Sequence, residues 1–144
     1  MTIKKLQNIA EKLVNTYCKK YNIEPYSVKV KNLKTCGRIR YKTRFISIPL
    51  WAYEQGGVHY FIAYVLHEIT HFIRYHTCRE NTHGENFHRL EKKLLKMHGL
   101  VPVKYRRSFY DELEDVNGKT LWIASAKVRE AKGMKPYKIK EVKL

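Results

Sequence analysis

His67-Glu68-Ile69-Thr70-His71 puts two imidazoles four residues apart. On a helix that is about one turn, so both can reach a single ion from the same face. Glu68 follows the first histidine, where its carboxylate can face a water on that ion without being a ligand itself. The H-E-x-x-H spacing thus provides two zinc ligands and a general base for hydrolysis. So short a pattern recurs by chance, and its setting has to carry the reading. Val58, Phe61, Ile62, Val65, Leu66, Ile69, Phe72 and Ile73 follow helical spacing and predict a strongly apolar helix around it. Buried histidines and a buried glutamate are costly in such a helix unless they find partners. The plain alternative is a pair of hydrogen-bonded core histidines beside an exposed Glu68.

A hydrolytic zinc site takes three protein ligands and keeps a fourth position for water. Candidates for the third are His76, Cys78, His83, Glu85, His88 and Glu91. His76 would lie about 140° round the helix from His71, a poor partner for the same ion. Arg79-Glu80-Asn81-Thr82 is polar and turn-prone, and from about Gly84 a second periodic run begins with Phe87, Leu90, Leu94 and Met97. A loop there would return the chain and bring His83 into the second helix facing the first. Glu85 or Glu91 in that role would give a different type of peptidase, and Cys78 reads as a small buried thiol or loop residue. His59 is too far along the first helix to be a ligand; His88 and His98 read as surface or packing residues.

These residues carry a resemblance. His67-Glu68-x-x-His71, a loop, then His83-Gly84-x-x-Phe87 resembles the SprT-like family of zinc metallopeptidases, which includes the Spartan proteases. In that family the third histidine stands in an H-G-x-x-aromatic motif just after the loop. Cys36-Gly37-Arg38 and Ile46-Ser47-Ile48-Pro49-Leu50 also resemble the hairpin ahead of its metal helix, and the likeness covers residues 1 to 100, roughly. The resemblance implies a zincin-like fold, His67, His71 and His83 as ligands of one Zn²⁺ per chain, and Glu68 as the base acting on a zinc-bound water. It also implies a protein substrate held on DNA, with DNA as activator. Many members add a C-terminal zinc ribbon built on cysteine pairs; this sequence has no such pairs, so recruitment of substrate by that route does not carry over.

The 144 residues suffice for one small domain with one core, and 44% are hydrophobic. The net charge of +16, from 29 basic and 13 acidic residues, is large for this size. Such a field favours polyanions, nucleic acid above all. The plain alternative is a soluble basic protein whose excess of lysine over arginine follows genome composition. Cys18, Cys36 and Cys78 form no C-x-x-C pair and read as reduced thiols. Met1-Thr2-Ile3-Lys4-Lys5 lacks an apolar signal core, and no run approaches the ~20 residues of a membrane span. A cytoplasmic monomer is expected, cellular or virus-encoded, with no membrane partner.

Thr2 is placed to cap a helix running to about Tyr21, with Ile3, Leu6, Ile9, Ala10, Leu13, Tyr17 and Tyr21 as its apolar stripe. After Asn22 to Pro25 the period changes to two. Tyr26, Val28 and Val30 alternate with Ser27, Lys29 and Lys31; Ile39 and Tyr41 alternate with Arg38, Arg40 and Lys42; Phe45 to Leu50 reads as a third strand. Ser27 to Arg44 holds seven basic residues and no acidic one. Within each strand the charges share a face, so an antiparallel meander would offer a basic surface. Lys29, Lys31, Arg38, Arg40, Lys42 and Arg44 are the expected contacts to DNA phosphates, independent of base sequence. Tyr41, Phe45 and Trp51 could stack on unpaired bases, though such rings more often serve a core. A solvated sheet face is the plain alternative.

Ala52 to Gly57 reads as a polar link, and Gly99 as the end of the second helix with Pro102 beyond it. Val103 to Tyr110 and Thr120 to Ala124 then flank a hairpin whose turn signal is Val116-Asn117-Gly118-Lys119. Glu112, Glu114 and Asp115 fall at its solvated tip. From Ala126 the chain is lysine-rich and loosely patterned, a frayed arm. The expected class is α+β: an N-terminal helix, a small antiparallel sheet, the metal helix, a second ligand-bearing helix and a C-terminal β-hairpin. Residues 1–102 would be the metallopeptidase core and residues 103–144 the hairpin and basic tail. The rival of another class is a zinc-stabilised nucleic-acid-binding module without hydrolysis. The sequence names no natural substrate, and Tyr64, Tyr105 and Tyr110 are the only guesses it offers for an oxyanion donor.

Overall fold

The computed structural model describes residues 1–106 and 109–135. Its elements run α1 (Ile3–Lys20), β1 (Ser27–Lys31), β2 (Arg38–Arg40), β3 (Phe45–Pro49), α2 (Trp51–Cys78), α3 (Glu85–Met97), β4 (Leu100–Arg106), β5 (Phe109–Asp115), β6 (Thr120–Ile123) and α4 (Ala126–Ala131). The α+β class and the succession of helix, small sheet, two helices and C-terminal strands follow the periodicities of the sequence. Thr2 Oγ1 accepts the Lys5 amide at 3.2 Å and starts α1. Leu6, Ala10, Val14 and Tyr17 bury one face of that helix. Gln7 reaches from it to β1, donating Nε2 to Val28 O at 2.7 Å and accepting the Val30 amide on Oε1 at 2.9 Å.

In the first sheet β3 lies between β1 and β2. β2 pairs with it antiparallel, but β1 runs parallel to it, Val28 beside Ile46 and Val30 beside Ile48. The sheet departs from the expected meander in this one pairing, and composition explains why. Every residue of β3 from Ile46 to Pro49 is buried, which suits a central strand. The alternating cations of β1 and β2 suit edges.

Ala52 to Gly57, expected to be a link, is helical instead. Leu50 O accepts the Tyr53 and Glu54 amides at 3.0 and 3.1 Å, and Ala52 is fully buried. The break is confined to Gly57 (φ +77°), where α2 kinks and restarts; only a residue without Cβ adopts that conformation freely. α2 then runs to Cys78, which is exposed, and Arg79 turns the chain with φ +57°.

The second sheet is an antiparallel meander, β4-β5-β6, one strand larger than the expected hairpin. β4 already includes Pro102, which an edge strand tolerates. Of the acidic residues expected at the tip, Glu112 and Glu114 lie in β5 and only Asp115 stands at the turn, its Oδ1 accepting the Asn117 and Lys119 amides at 2.8 and 2.9 Å. Trp122 stacks on Tyr60 of α2 at 3.8 Å, so both sheets share one core. Ala126 onward is also ordered differently from expectation. Ser125 caps α4, Val128 and Arg129 are buried, and the Arg129 guanidinium meets Asp111 at 2.8 Å. The rest of the expected arm, beyond Lys135, lies outside the described residues. Among the described residues no helix is long and apolar enough to cross a membrane.

Candidate metal centre

Past Gly57, α2 is packed on nearly all sides: Tyr60, Phe61 and every residue from Ala63 to Ile73 are buried. Three of these carry the chemistry. His67 and Glu68 are 5% exposed and His71 is 7% exposed, their rings or carboxylate enclosed by surrounding side chains. The His67 and His71 ring centroids lie 5.0 Å apart. Arg79 then reverses the chain, and His83, two residues ahead of α3, brings a third ring to 5.1 Å from His67 and 4.5 Å from His71. One ligand nitrogen from each of the three lies within 4.8 Å of the others, with His83 Nε2 3.2 Å from His67 Nε2. Phe87, four residues after His83, packs its ring against all three imidazoles at 4.6 to 5.0 Å and holds them together from below.

Of the other candidates, none reaches this cluster as a ligand. His76 Nε2 is bonded to the Tyr26 hydroxyl at 2.6 Å and His98 Nε2 to that of Tyr17 at 2.8 Å. Glu85 pairs with Arg89, and Cys78 accepts from Arg74. Glu91 is fully buried behind His67, its Oε2 accepting the Nδ1–H at 2.5 Å. That bond fixes the tautomer and leaves Nε2 with its lone pair facing the cluster, the usual outer support of a metal-bound histidine. His88 Nδ1 stands 3.6 Å from the other oxygen of Glu91. The sequence reading allowed Glu91 only as a ligand. Its true signal was its place on the apolar stripe of α3, between Phe87 and Leu94.

The donor set fits zinc. Two Zn–N bonds of about 2.0–2.1 Å at a tetrahedral angle set their nitrogens about 3.3 Å apart, close to the 3.2 Å between His67 and His83. His71 Nδ1 is buried with no hydrogen-bond partner among the described residues. The SprT-like family matches residues 6–107. The chain belongs to the SprT-like family. No curated protein and no solved structure matches it. The SprT-like segment takes in α1 to β4 with all three imidazoles, Glu68 and Glu91, while Phe109 and α4 lie beyond it.

Electrostatics prepare this SprT-like site for a cation. Burial, followed by the neighbouring His67 and His83, holds His71 at about 2; burial and His67 hold His83 at about 4. Both are neutral, and so free to donate, at neutral pH. Burial also works against charge on His67, but the bonded Glu91 carboxylate outweighs it and raises the imidazole. Burial raises Glu68, moderated by His67 and by Lys132. Glu68 has no hydrogen-bond partner among the described residues, which leaves its carboxylate available. Tyr64, Tyr105 and Tyr110 are all raised by burial and stay protonated. The Tyr64 hydroxyl accepts the Gly37 amide at 2.8 Å. Gly37 cannot be larger, since a Cβ there would fall 2.3 Å from Ser47 O.

The cations expected to contact DNA divide into two groups. Lys29, Lys31, Arg38 and Arg40 stand on the exposed face of the first sheet around Phe45 and Ser47. Lys42 lies in the β2–β3 turn, and Arg44, also there, is paired with Glu24. Tyr41 stacks on Tyr75 at 4.0 Å and is part of the packing. Phe45 is half-buried with Lys31 Nζ 5.0 Å above its ring.

Proposed function

We propose that this SprT-like chain is a zinc metalloendopeptidase acting on proteins bound to DNA, with His67, His71 and His83 as ligands and Glu68 as general base. The observation that carries the reading is the meeting of three imidazoles beside a buried carboxylate that has no hydrogen-bond partner among the described residues. Zinc held there would polarise a peptide carbonyl and bring the pKa of a water towards about 7. Glu68 would take the proton of the attacking water and return it to the leaving amine. Glu91 holds the His67 ring in register, and Phe87 packs against all three imidazoles. For DNA the support is the basic face. A groove lined by Lys31, Arg38, Arg40, Phe45 and Ser47 runs to Cys36, beside the Gly37 that is bonded to Tyr64. Lysines and arginines there suit phosphates, and Phe45 suits an unpaired base. Three free thiols suit a reducing compartment, so we place the activity in the cytoplasm, with the protein a monomer.

The rival, a zinc-stabilised nucleic-acid module, needs the metal equally, so metal content does not separate them. Glu68→Gln does. It should keep fold and zinc but lose cleavage of a DNA-binding protein in the presence of single-stranded DNA, by about 10²–10⁴-fold. Equal behaviour of the two proteins over many substrates would make the binding module the better account. Cleavage indifferent to DNA and to salt would remove DNA from the reading and keep the peptidase.

A further inference from the structure

Lys132 follows α4, and its side chain leaves the helix end to lie among rings. Nζ is 4.1 Å from the centroid of Phe109, 4.3 Å from Trp51 and 5.3 Å from Tyr64, with Cys36 Sγ 3.2 Å away. Several aromatic faces round one ammonium make the kind of cage that recognises alkylammonium groups. The walls come from elsewhere in the chain: Trp51 and Tyr64 from α2, Phe109 from β5. The cage also adjoins the metal centre. Phe109 lies nearly parallel to the His67 ring at 6.1 Å, and the Tyr64 ring is 6.5 Å from it.

Lys132 is poorly satisfied there. An ammonium has three donors, and this one finds a thiol, a weak acceptor, and the attraction of Glu68 from beyond ion-pairing distance, with no carboxylate closer among the described residues. Burial lowers its pKa, so the enclosure costs the cation something. What the rings offer is attraction for a charge on a flexible stem, which any lysine side chain can use. The backbone of Lys132 is anchored separately, its amide on Val128 O and Arg129 O. The side chain can therefore leave while the helix end stays.

We propose that Trp51, Tyr64 and Phe109 form a subsite for the ammonium of a substrate lysine beside the scissile bond, and that Lys132 fills it in the free protein. The place of the subsite relative to that bond rests on the peptidase reading; its affinity for lysine does not. The test is therefore binding to the zinc-loaded Glu68→Gln protein, using fluorescein-labelled peptides that differ only in a central lysine or norleucine. With Lys132→Ala added, the lysine peptide is expected to bind about tenfold more tightly than before and about tenfold more tightly than the norleucine peptide. Trp51→Leu in the same background is expected to remove that preference. Equal affinity of the two peptides for the Lys132→Ala protein overturns the proposal. Should that variant fail to fold, the unsubstituted chain gives the answer through labelling by an amine-reactive ester. Saturating lysine peptide should raise modification of Lys132 several-fold and norleucine peptide should not; unchanged labelling overturns the proposal. A lysine preference that persists when no cleavage is ever found would sink the peptidase reading and leave the subsite standing.

Discussion

Glu91 Oε2 accepts the Nδ1–H of His67 at 2.5 Å, and the carboxylate is wholly withdrawn from solvent. Burial alone would raise Glu91, but the bonded His67 reverses this and holds it at about 2. The ring is thereby kept in one tautomer with Nε2 towards the other histidines. Glu91→Gln is expected to weaken zinc binding about 10–100-fold, read by competition with a chromophoric chelator. Unchanged affinity would mean that the carboxylate serves packing and not the metal.

Proton competition sets a second expectation. His71 at about 2 and His83 at about 4 both lie below the ~6.5 of an unfolded histidine. Between those values the unfolded chain binds protons that the folded one refuses. The contribution of these two groups is therefore complete above pH ~6.5 and declines as the solution is acidified towards 4 for His83 and 2 for His71. His67 is raised, so its contribution has the opposite sign: present at acidic pH and lost as pH rises through its folded value. Burial lowers His76 and His98 as well and raises Glu68, so four lowered imidazoles stand against two raised groups, and metal-free protein is expected to be less resistant to urea at pH ~4.5 than at ~7. A midpoint that rises on acidification would contradict the burial of His71 and His83 as neutral rings.

Asp111 and Arg129 form a nearly buried ion pair at 2.8 Å that binds α4 to β5. Removing one partner of such a pair leaves an uncompensated charge and costs about 3–5 kcal/mol. Arg129→Met should lower thermal stability by that order, and Asp111→Leu added to it should recover much of the loss. Recovery would be absent if the pair contributed nothing.

The two groups of cations should behave differently towards DNA. Arg38→Ala and Arg40→Ala are each expected to weaken single-stranded DNA binding whatever its base sequence and to flatten the log–log salt slope by about 0.7 per lost phosphate contact. Arg44→Ala should do less, because Arg44 is already engaged by Glu24. Equal effects of all three on the slope would extend the DNA path from the sheet face onto the turn.

The metal helix was legible because a dense apolar period leaves His67, Glu68 and His71 with few other roles, and His83 because its loop and the Phe87 period fix where the chain returns. Glu91 was harder, since a carboxylate on an apolar stripe announces a buried partner without saying which. The parallel β1–β3 pairing depends on which strand takes the middle of the sheet; the alternating cations of β1 and β2 mark them as edges, but nothing within a strand gives its direction against its neighbour. Ala52 to Gly57 reads as a polar link, yet only Gly57 departs from helical geometry. Arg129 and Lys132 lie in a segment too short for a period, and their places follow from Asp111 and from three rings far away in the chain.

Gln7 spends both ends of its amide on Val28 and Val30, so the outer margin of β1 is already stitched to α1. A visiting extended polypeptide seeking main-chain partners on this sheet is then directed to the opposite margin, β2. That margin is the one Gly37 ties to Tyr64, a single helical turn from His67. A side chain on the far flank of the sheet thus decides the bank along which a guest strand can moor.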